Sequence, residues 1–247
     1  MLNSQESPNN SNASQGFFTT SFIALLKEHI YHFDTLPSTQ TYAIEKIKSK
    51  TLKAPFCIHA TQQTQGIGSR GNQWESVPRG LMFSFALPLA SLPQDLKIES
   101  SSIFFGVILQ QFLLSLGANV WLKYPNDLYR DTHKIGGILT QKIRNSLVCG
   151  MGINLYDSSN VPKSQHYATL EKSISANIEH LGFLSDFFQS FEKFISWKQI
   201  FSIYKLEFHK NNSYFFHFQD KRIYLKDTML NEDGSLSIDG HKIYSLR

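Results

Sequence analysis

Residues 134–155 read KIGGILTQKIRNSLVCGMGINL. Two apolar runs, Lys134 to Ile143 and Leu147 to Leu155, flank the polar triplet Arg144-Asn145-Ser146, which is the pattern of a β-hairpin. Glycines sit in pairs on both runs, at Gly136-Gly137 and at Gly150 and Gly152. Glycine inside a strand marks a bulge or a close approach of backbone or ligand. Two facing strands that lack side chains leave a slot for a flat ligand, with Lys134 and Asn154 at its mouth.

Working outward, Val120 to Tyr124 predicts a strand stopped by Pro125, and it delivers Lys123, Asn126 and Asp127 to the end of a rigid element, where ligands are commonly met. Ser100 to Leu116 predicts a helix lying on a sheet, closed by Gly117 at its C-terminus. Leu81 to Leu87 (LMFSFAL) and Phe56 to Ala60 predict buried strands. Ser38 predicts an N-cap for a helix carrying Ala43, Ile44 and Ile47 on one face. Between them lies a glycine-punctuated loop, Gln63 to Gly71, followed by Trp74. Its GxGxxG alone is weak: no helix follows at the spacing of a dinucleotide fold, so the choice is between a surface loop and a ligand-covering one. Leu181 to Lys210 predicts one helical segment with a core-facing phenylalanine stripe, Phe183, Phe187, Phe188, Phe191 and Phe194. After Asn211-Asn212, short strand-like pieces broken by Asp233-Gly234 and Asp239-Gly240 predict a small β unit over 212–247, too small to stand alone. Residues 1–16 predict a disordered tail and 17–30 a short helix, with the folded body starting near Tyr31.

Composition narrows the class. The 247 residues are 41% hydrophobic and 18% charged, which excludes a wholly disordered chain and a coiled coil. No apolar run reaches the roughly 20 residues of a membrane span, so no membrane association is expected. Two cysteines, Cys57 and Cys149, make neither a disulfide scaffold nor a four-cysteine zinc site and agree with a cytoplasmic location. A net charge of +4 permits an anionic ligand without requiring nucleic acid. The nine histidines form no HExxH pattern, and no P-loop occurs.

At these segments the chain resembles the biotin–protein ligases. The family runs Ser-Thr-Asn, then QTxGxGxxGxxW, KWPNDL, KxxGIL and GxGIN; here stand Ser38-Thr39-Gln40, Gln63 to Trp74, KYPNDL from Lys123, KIGGIL from Lys134 and GMGIN ending at Asn154. The resemblance implies an α+β fold: a mixed β-sheet with helices packed against one side (class II aminoacyl-tRNA synthetase-like), over 31–211, plus an SH3-like β domain over 212–247. It implies two half-reactions, formation of biotinyl-5′-AMP from biotin and ATP with Mg²⁺, then transfer to one lysine of a biotin carboxyl carrier protein. It assigns Lys123, Lys134 and Asp127 to catalysis. Biotin falls to Ser38, Thr39, Gln40, Gln63, Gly66, Ile67, Gly68, Ser69, Lys134, Gly137, Gly150 and Gly152. The nucleotide falls to Arg70, Trp74, Lys123, Asn126 and Asn154, with Mg²⁺ carried by ATP near Asn154 rather than by a protein cage. Asp157 to His166 is the expected adenine lid.

Chemically, two anions must meet, so convergent lysines suit the task, whereas the uncharged ureido ring suits hydroxyls and amides. The family's loop arginines are replaced by Ile67 and Ser69, leaving Arg70 one place over, which bears on how tightly the adenylate is held. About 30 residues before the body leave no room for a helix-turn-helix, so no sequence-specific DNA binding and no repressor role are expected; a homodimer is possible. The competing readings are a lipoate–protein ligase and a non-catalytic biotin-binding relative.

Overall fold

The computed structural model describes residues 18–75, 77, 79–156, 168–194, 196–219 and 221–244. The expected tail 1–16 and the expected lid 157–166 lie outside the described residues. A seven-stranded mixed sheet runs in the order β1-β2-β5-β9-β8-β7-β6. Its strands are β1 (Ile30–Leu36), β2 (Phe56–Gln63), β5 (Leu81–Pro88), β6 (Trp121–Lys123), β7 (Asp127–Arg130), β8 (His133–Ile143) and β9 (Ser146–Ile153). The pair β1/β2 is parallel and the other pairs are antiparallel. The predicted hairpin is β8–β9, turning through Arg144 at positive φ. A two-stranded ribbon, β3 (Gly66–Ile67) and β4 (Gln73–Trp74), rises from the loop that follows β2.

Alternation along each strand divides the side chains between two faces. Cys57, Phe83, Phe85, Leu147, Cys149, Met151 and Ile153 join the large core. That core is covered by α1 (Thr20–Glu28), α3 (Ser101–Ser115) and α5 (His180–Gln189). Intervening residues Phe56, Ile58, Ala60, Ala86 and Val148 meet Ala43, Ile44 and Ile47 of α2 (Thr39–Lys48) in a second cluster. Helices therefore cover both faces, where the resemblance implied one side: α2, capped by Ser38 accepting from the Thr41 N–H, lies opposite the rest. Burial of Phe18, Ile23 and Leu26 brings residues 18–30 into the main core, so the body begins ahead of Tyr31.

The Leu181–Lys210 segment is largely helical, as expected, and is divided into separate pieces. α5 tightens into a 3₁₀ turn at Ser190–Lys193, and α6 (Trp197–Glu207) starts afresh after the one-turn helix α4 (Lys172–Ser175) and α5. Ser196 caps α6 by accepting from the Gln199 N–H. The five stripe phenylalanines are all buried as expected.

Beyond Asn211, β10 (Phe215–Phe218) pairs with β11 (Lys221–Tyr224), and β12 (Met229–Leu230), β13 (Leu236–Ile238) and β14 (His241–Ile243) form a three-stranded sheet. Asp239 and Gly240, both at positive φ, make the two-residue turn between β13 and β14. Phe216, Leu225, Leu236 and Ile238 bury into the main core rather than a core of their own. Polar contacts fasten the same unit: Trp197 Nε1 donates to the Glu232 carbonyl (2.7 Å), the Tyr124 hydroxyl to the Gly234 carbonyl (3.2 Å), and Lys97 to Asp233 (2.9 Å).

One polar string crosses the sheet edge. His32 Nδ1 and His59 Nδ1 stand 2.8 Å apart, and His59 Nε2 lies 3.1 Å from His180 Nδ1 at the start of α5. Burial pushes His59 down to about 3, and the neighbouring imidazoles His180 and His32 push the same way.

Candidate active site

Cross-strand register builds the floor of the site. Ala60 stands opposite Met82, Met82 opposite Gly152, Gly152 opposite Gly137, Gly137 opposite Asp127, and Asp127 opposite Lys123. These residues form one row on the α2 side of the sheet. The next row carries Ser84, Gly150 and Leu139. Small residues at the centre of both rows leave room that flanking side chains would otherwise fill.

Lys134 reaches this face through a β-bulge. Leu128 pairs with Gly136, but Tyr129 pairs with Lys134, so Ile135 is the extra residue. Simple alternation would turn Lys134 toward the same face as Gly136, into the core. The bulge reverses it: Ile135 is fully buried in the core, and Lys134 Nζ sits 2.7 Å from Asp127 Oδ1 on the other side. A Cβ on Gly137 would make ordinary van der Waals contact with that ammonium, at 3.5 Å.

The resulting cavity is narrow, about 50 Å³. One end is neutral and polar. There Gln63 Oε1 accepts from the Thr39 backbone N–H (2.7 Å) and from its hydroxyl (3.1 Å), and Thr39 Oγ1 lies 2.9 Å from Ser84 Oγ. Gln40 is 3% exposed, and both atoms of its amide are without a partner. A Cβ on Gly150 would fall 2.6 Å from Gln40 Oε1, so that glycine is required for the glutamine to lie where it does. The opposite end carries Lys134 and Asp127. Trp74 forms one wall: its indole rests on Gly152, where a Cβ would come within 2.6 Å of the ring, and the indole N–H is another buried group without a partner.

Most residues expected at the site converge here. Ser38, Thr39, Gln40, Gln63, Ile67, Gly68, Ser69, Trp74, Asn126, Asp127, Lys134, Gly137, Gly150 and Gly152 all line the cavity. Four assignments stand differently. Gly66 packs beneath Trp74 rather than on the cavity wall. Asn154 is a strap, its backbone N–H donating to the Ile135 carbonyl (2.7 Å) and its amide to the Ala168 carbonyl (3.2 Å). Lys123 shares the row with Asp127 but is not in the lining; its ammonium lies over the rings of Tyr214 (4.7 Å) and Tyr129 (5.1 Å). The Arg70 side chain lies outside what is described. Asn126 has a scaffolding share as well, since its amide donates to the Ile138 carbonyl (2.8 Å) and its own carbonyl accepts from the Ile138 N–H.

Sequence reasoning missed Ser84, Tyr129 and Tyr214. Ser84 had a signal, as the lone hydroxyl in LMFSFAL at the parity of the polar face. A wider hollow opens beside the cavity, shares Ser69, Asn126, Ile138 and Leu139 with it, and extends to Glu99, Ile243 and Tyr244. Among the described residues no group of three histidine, cysteine, aspartate or glutamate side chains gathers about a point that could hold a metal ion.

Residues 32–155 match the model of the biotin/lipoate A/B protein ligase family. Among solved structures, the biotin acetyl coenzyme A carboxylase synthetase of Helicobacter pylori, bound to biotinylated ATP, is 39% identical, with a TM-score of 0.77 over 87% of this chain and 98% of that one. The Aquifex aeolicus biotin protein ligase, in complex with biotin and ATP, shares the fold at 21% identity and a TM-score of 0.69, over 89% of this chain and 97% of that one. The bifunctional ligase/repressor BirA of Escherichia coli is 30% identical over 126 residues, 49% of this chain, and that of Bacillus subtilis 26% over 183 residues, 68% of this chain. The matches span only 38% and 54% of those two relatives' lengths.

Proposed function

Because this chain belongs to the biotin/lipoate A/B protein ligase family, we propose that it activates biotin with ATP and transfers the biotinyl group to one lysine of a biotin carboxyl carrier protein. In the first step a biotin carboxylate oxygen bonds to the α-phosphorus of ATP, the bond to the β-phosphate bridge breaks, and pyrophosphate leaves. In the second, the lysine amine bonds to the carbonyl carbon, AMP leaves with the anhydride oxygen, and the amine loses a proton.

The observation that carries this reading is the polarity of the cavity. The unpartnered Gln40 amide offers one donor and one acceptor side by side in a neutral pocket, which complements the N–H and C=O of a cyclic urea. A dithiolane ring offers neither, and would leave both amide atoms buried and unsatisfied. At the far end, Lys134 supplies the positive charge that lets a carboxylate and a phosphate approach, acting by electrostatic stabilisation. Asp127, now paired with Lys134, is placed to receive the cationic amine of the acceptor in the second step. The wider hollow gives that second molecule a way to the same floor. Magnesium enters with the triphosphate and offsets its charge.

The test is mass spectrometry of a carrier domain incubated with the protein, MgATP and biotin or lipoate. A single biotinyl addition on one lysine supports the proposal. Lipoyl addition, or none with either acid, overturns it.

A further inference from the structure

We propose that Tyr214 is a positioning residue for Lys123, so that the C-terminal β unit sets where the second lysine of the site stands. The proposal rests on the ligase reading for the role of Lys123, and on separate geometry for the link itself.

Lys123 ends β6 directly opposite Asp127, which fixes its Cβ on the face of the cavity floor. Its ammonium lies over two aromatic faces, 4.7 Å from the Tyr214 ring centre and 5.1 Å from that of Tyr129, and 3.4 Å from the Tyr129 hydroxyl. Trp121, Tyr129 and Tyr214 pack on one another with ring centres 5.4–5.6 Å apart, so the two faces form one cradle. Trp121 and Tyr129 belong to the same hairpin as Lys123. Tyr214 alone comes from the other side of the junction to the C-terminal unit.

Its place is held from the backbone. The Tyr214 N–H donates to the Asn211 carbonyl (2.9 Å), and the Tyr214 carbonyl accepts from the Leu225 N–H (2.9 Å). The fully buried Asn211 in turn accepts, on Oδ1, from the N–H of Tyr124, the residue that follows Lys123 (2.8 Å). The base of the lysine and the ring above its tip are thus tied through one side chain. A lysine has four rotatable bonds, and a cation held on ring faces loses most of that freedom in a chosen direction. Removing the ring would leave Lys123 on Tyr129 alone of the two rings and widen the range of positions its tip can take.

The experiment uses the full chain with Tyr214→Ala, which deletes the ring, and Tyr214→Phe, which keeps its face. Biotin-dependent ATP–pyrophosphate exchange is followed with saturating and limiting biotin. The expected result for Tyr214→Ala is a kcat lower by about tenfold, the scale of a partly desolvated cation–π contact, with the KM for biotin unchanged; Tyr214→Phe stays near the unaltered protein. Lys97→Ala loosens the same unit at Asp233 without touching the cradle, and is expected to keep kcat even where it lowers Tm. A second readout does not need turnover: acylation of Lys123 by an N-hydroxysuccinimide ester, followed by peptide mass spectrometry, is expected to run several-fold faster in Tyr214→Ala only. Unchanged exchange and unchanged labelling in Tyr214→Ala overturn the proposal, as does Tyr214→Phe failing as badly as Tyr214→Ala. Absence of exchange in the unaltered protein overturns the ligase reading instead, and the labelling then decides the cradle by itself.

Discussion

Replacing Gln40 by methionine is expected to make the protein more stable and a poorer binder of biotin. The side chain is 3% exposed, and neither its Oε1 nor its Nε2 has a partner. Each unsatisfied buried polar atom costs on the order of 1–3 kcal/mol. Methionine has a similar length and no such atoms, and unbranched it adapts to the wall formed by Gly150 and Ser84. Removing the unmet demand therefore adds about 1–2 kcal/mol to the stability of the ligand-free protein, allowing for imperfect packing. The same change deletes two neutral hydrogen bonds to a cyclic urea, at about 0.5–1.5 kcal/mol each, so the biotin Kd rises by about 10- to 100-fold. Thermal unfolding without ligand and titration calorimetry with biotin measure the two effects on one preparation. If Gln40→Met unfolds at a lower temperature, or binds biotin as tightly as the unaltered chain, the assignment of the amide to the ligand is wrong.

Lys134→Met is expected to lower the exchange rate by about 10²–10³, the scale of a lost preorganised donor, while Tm moves little because the ion pair is partly exposed; an unchanged rate would refute its role. Gly152→Ala places a methyl group 2.6 Å from the Trp74 ring, so the indole must leave the floor; a shift in tryptophan emission and weaker biotin binding are the expected readings. The histidine string predicts acid lability. His59 has an ordinary value of 6.5 unfolded and about 3 folded, so the unfolded chain binds the extra proton between those values and stability falls as pH drops below 6.5. By pH 5 the loss is about 2 kcal/mol relative to neutral pH, and His59→Gln, followed by chemical denaturation at several pH values, is expected to flatten that slope.

Local chemistry made much of this fold legible. The β8–β9 hairpin announced itself through an apolar–polar–apolar sequence, and α2 through Ser38 and its spaced apolar residues. The break before α6 was also written in the chain, since Ser196 and Gln199 stand at capping-box spacing; the phenylalanine stripe across it masked the signal. β1 hid because a strand at the sheet edge carries His32, Asp34 and Thr35 in exposed positions. The ends of the cavity were legible as residue types, but their aim was not. The Gly136-Gly137 pair flags a bulge or a close approach without saying that Ile135 is the extra residue, and nothing near Lys123 points to a ring 91 positions away. Such placements are set by register and tertiary contact, which local patterns do not encode.

The bulge has one consequence for how change spreads through this molecule. Ile135 faces the hydrocarbon interior and Lys134 the chemistry, yet a single backbone irregularity fixes both. A substitution that reshapes the packing under α3 can therefore re-aim the ammonium without altering any residue a ligand would touch. Conversely, deleting Ile135 to tidy the pairing would leave Lys134 opposite Tyr129 on the cavity face and take a buried isoleucine out of the interior, so the extra residue serves the hydrocarbon side of the sheet while the lysine keeps its aim.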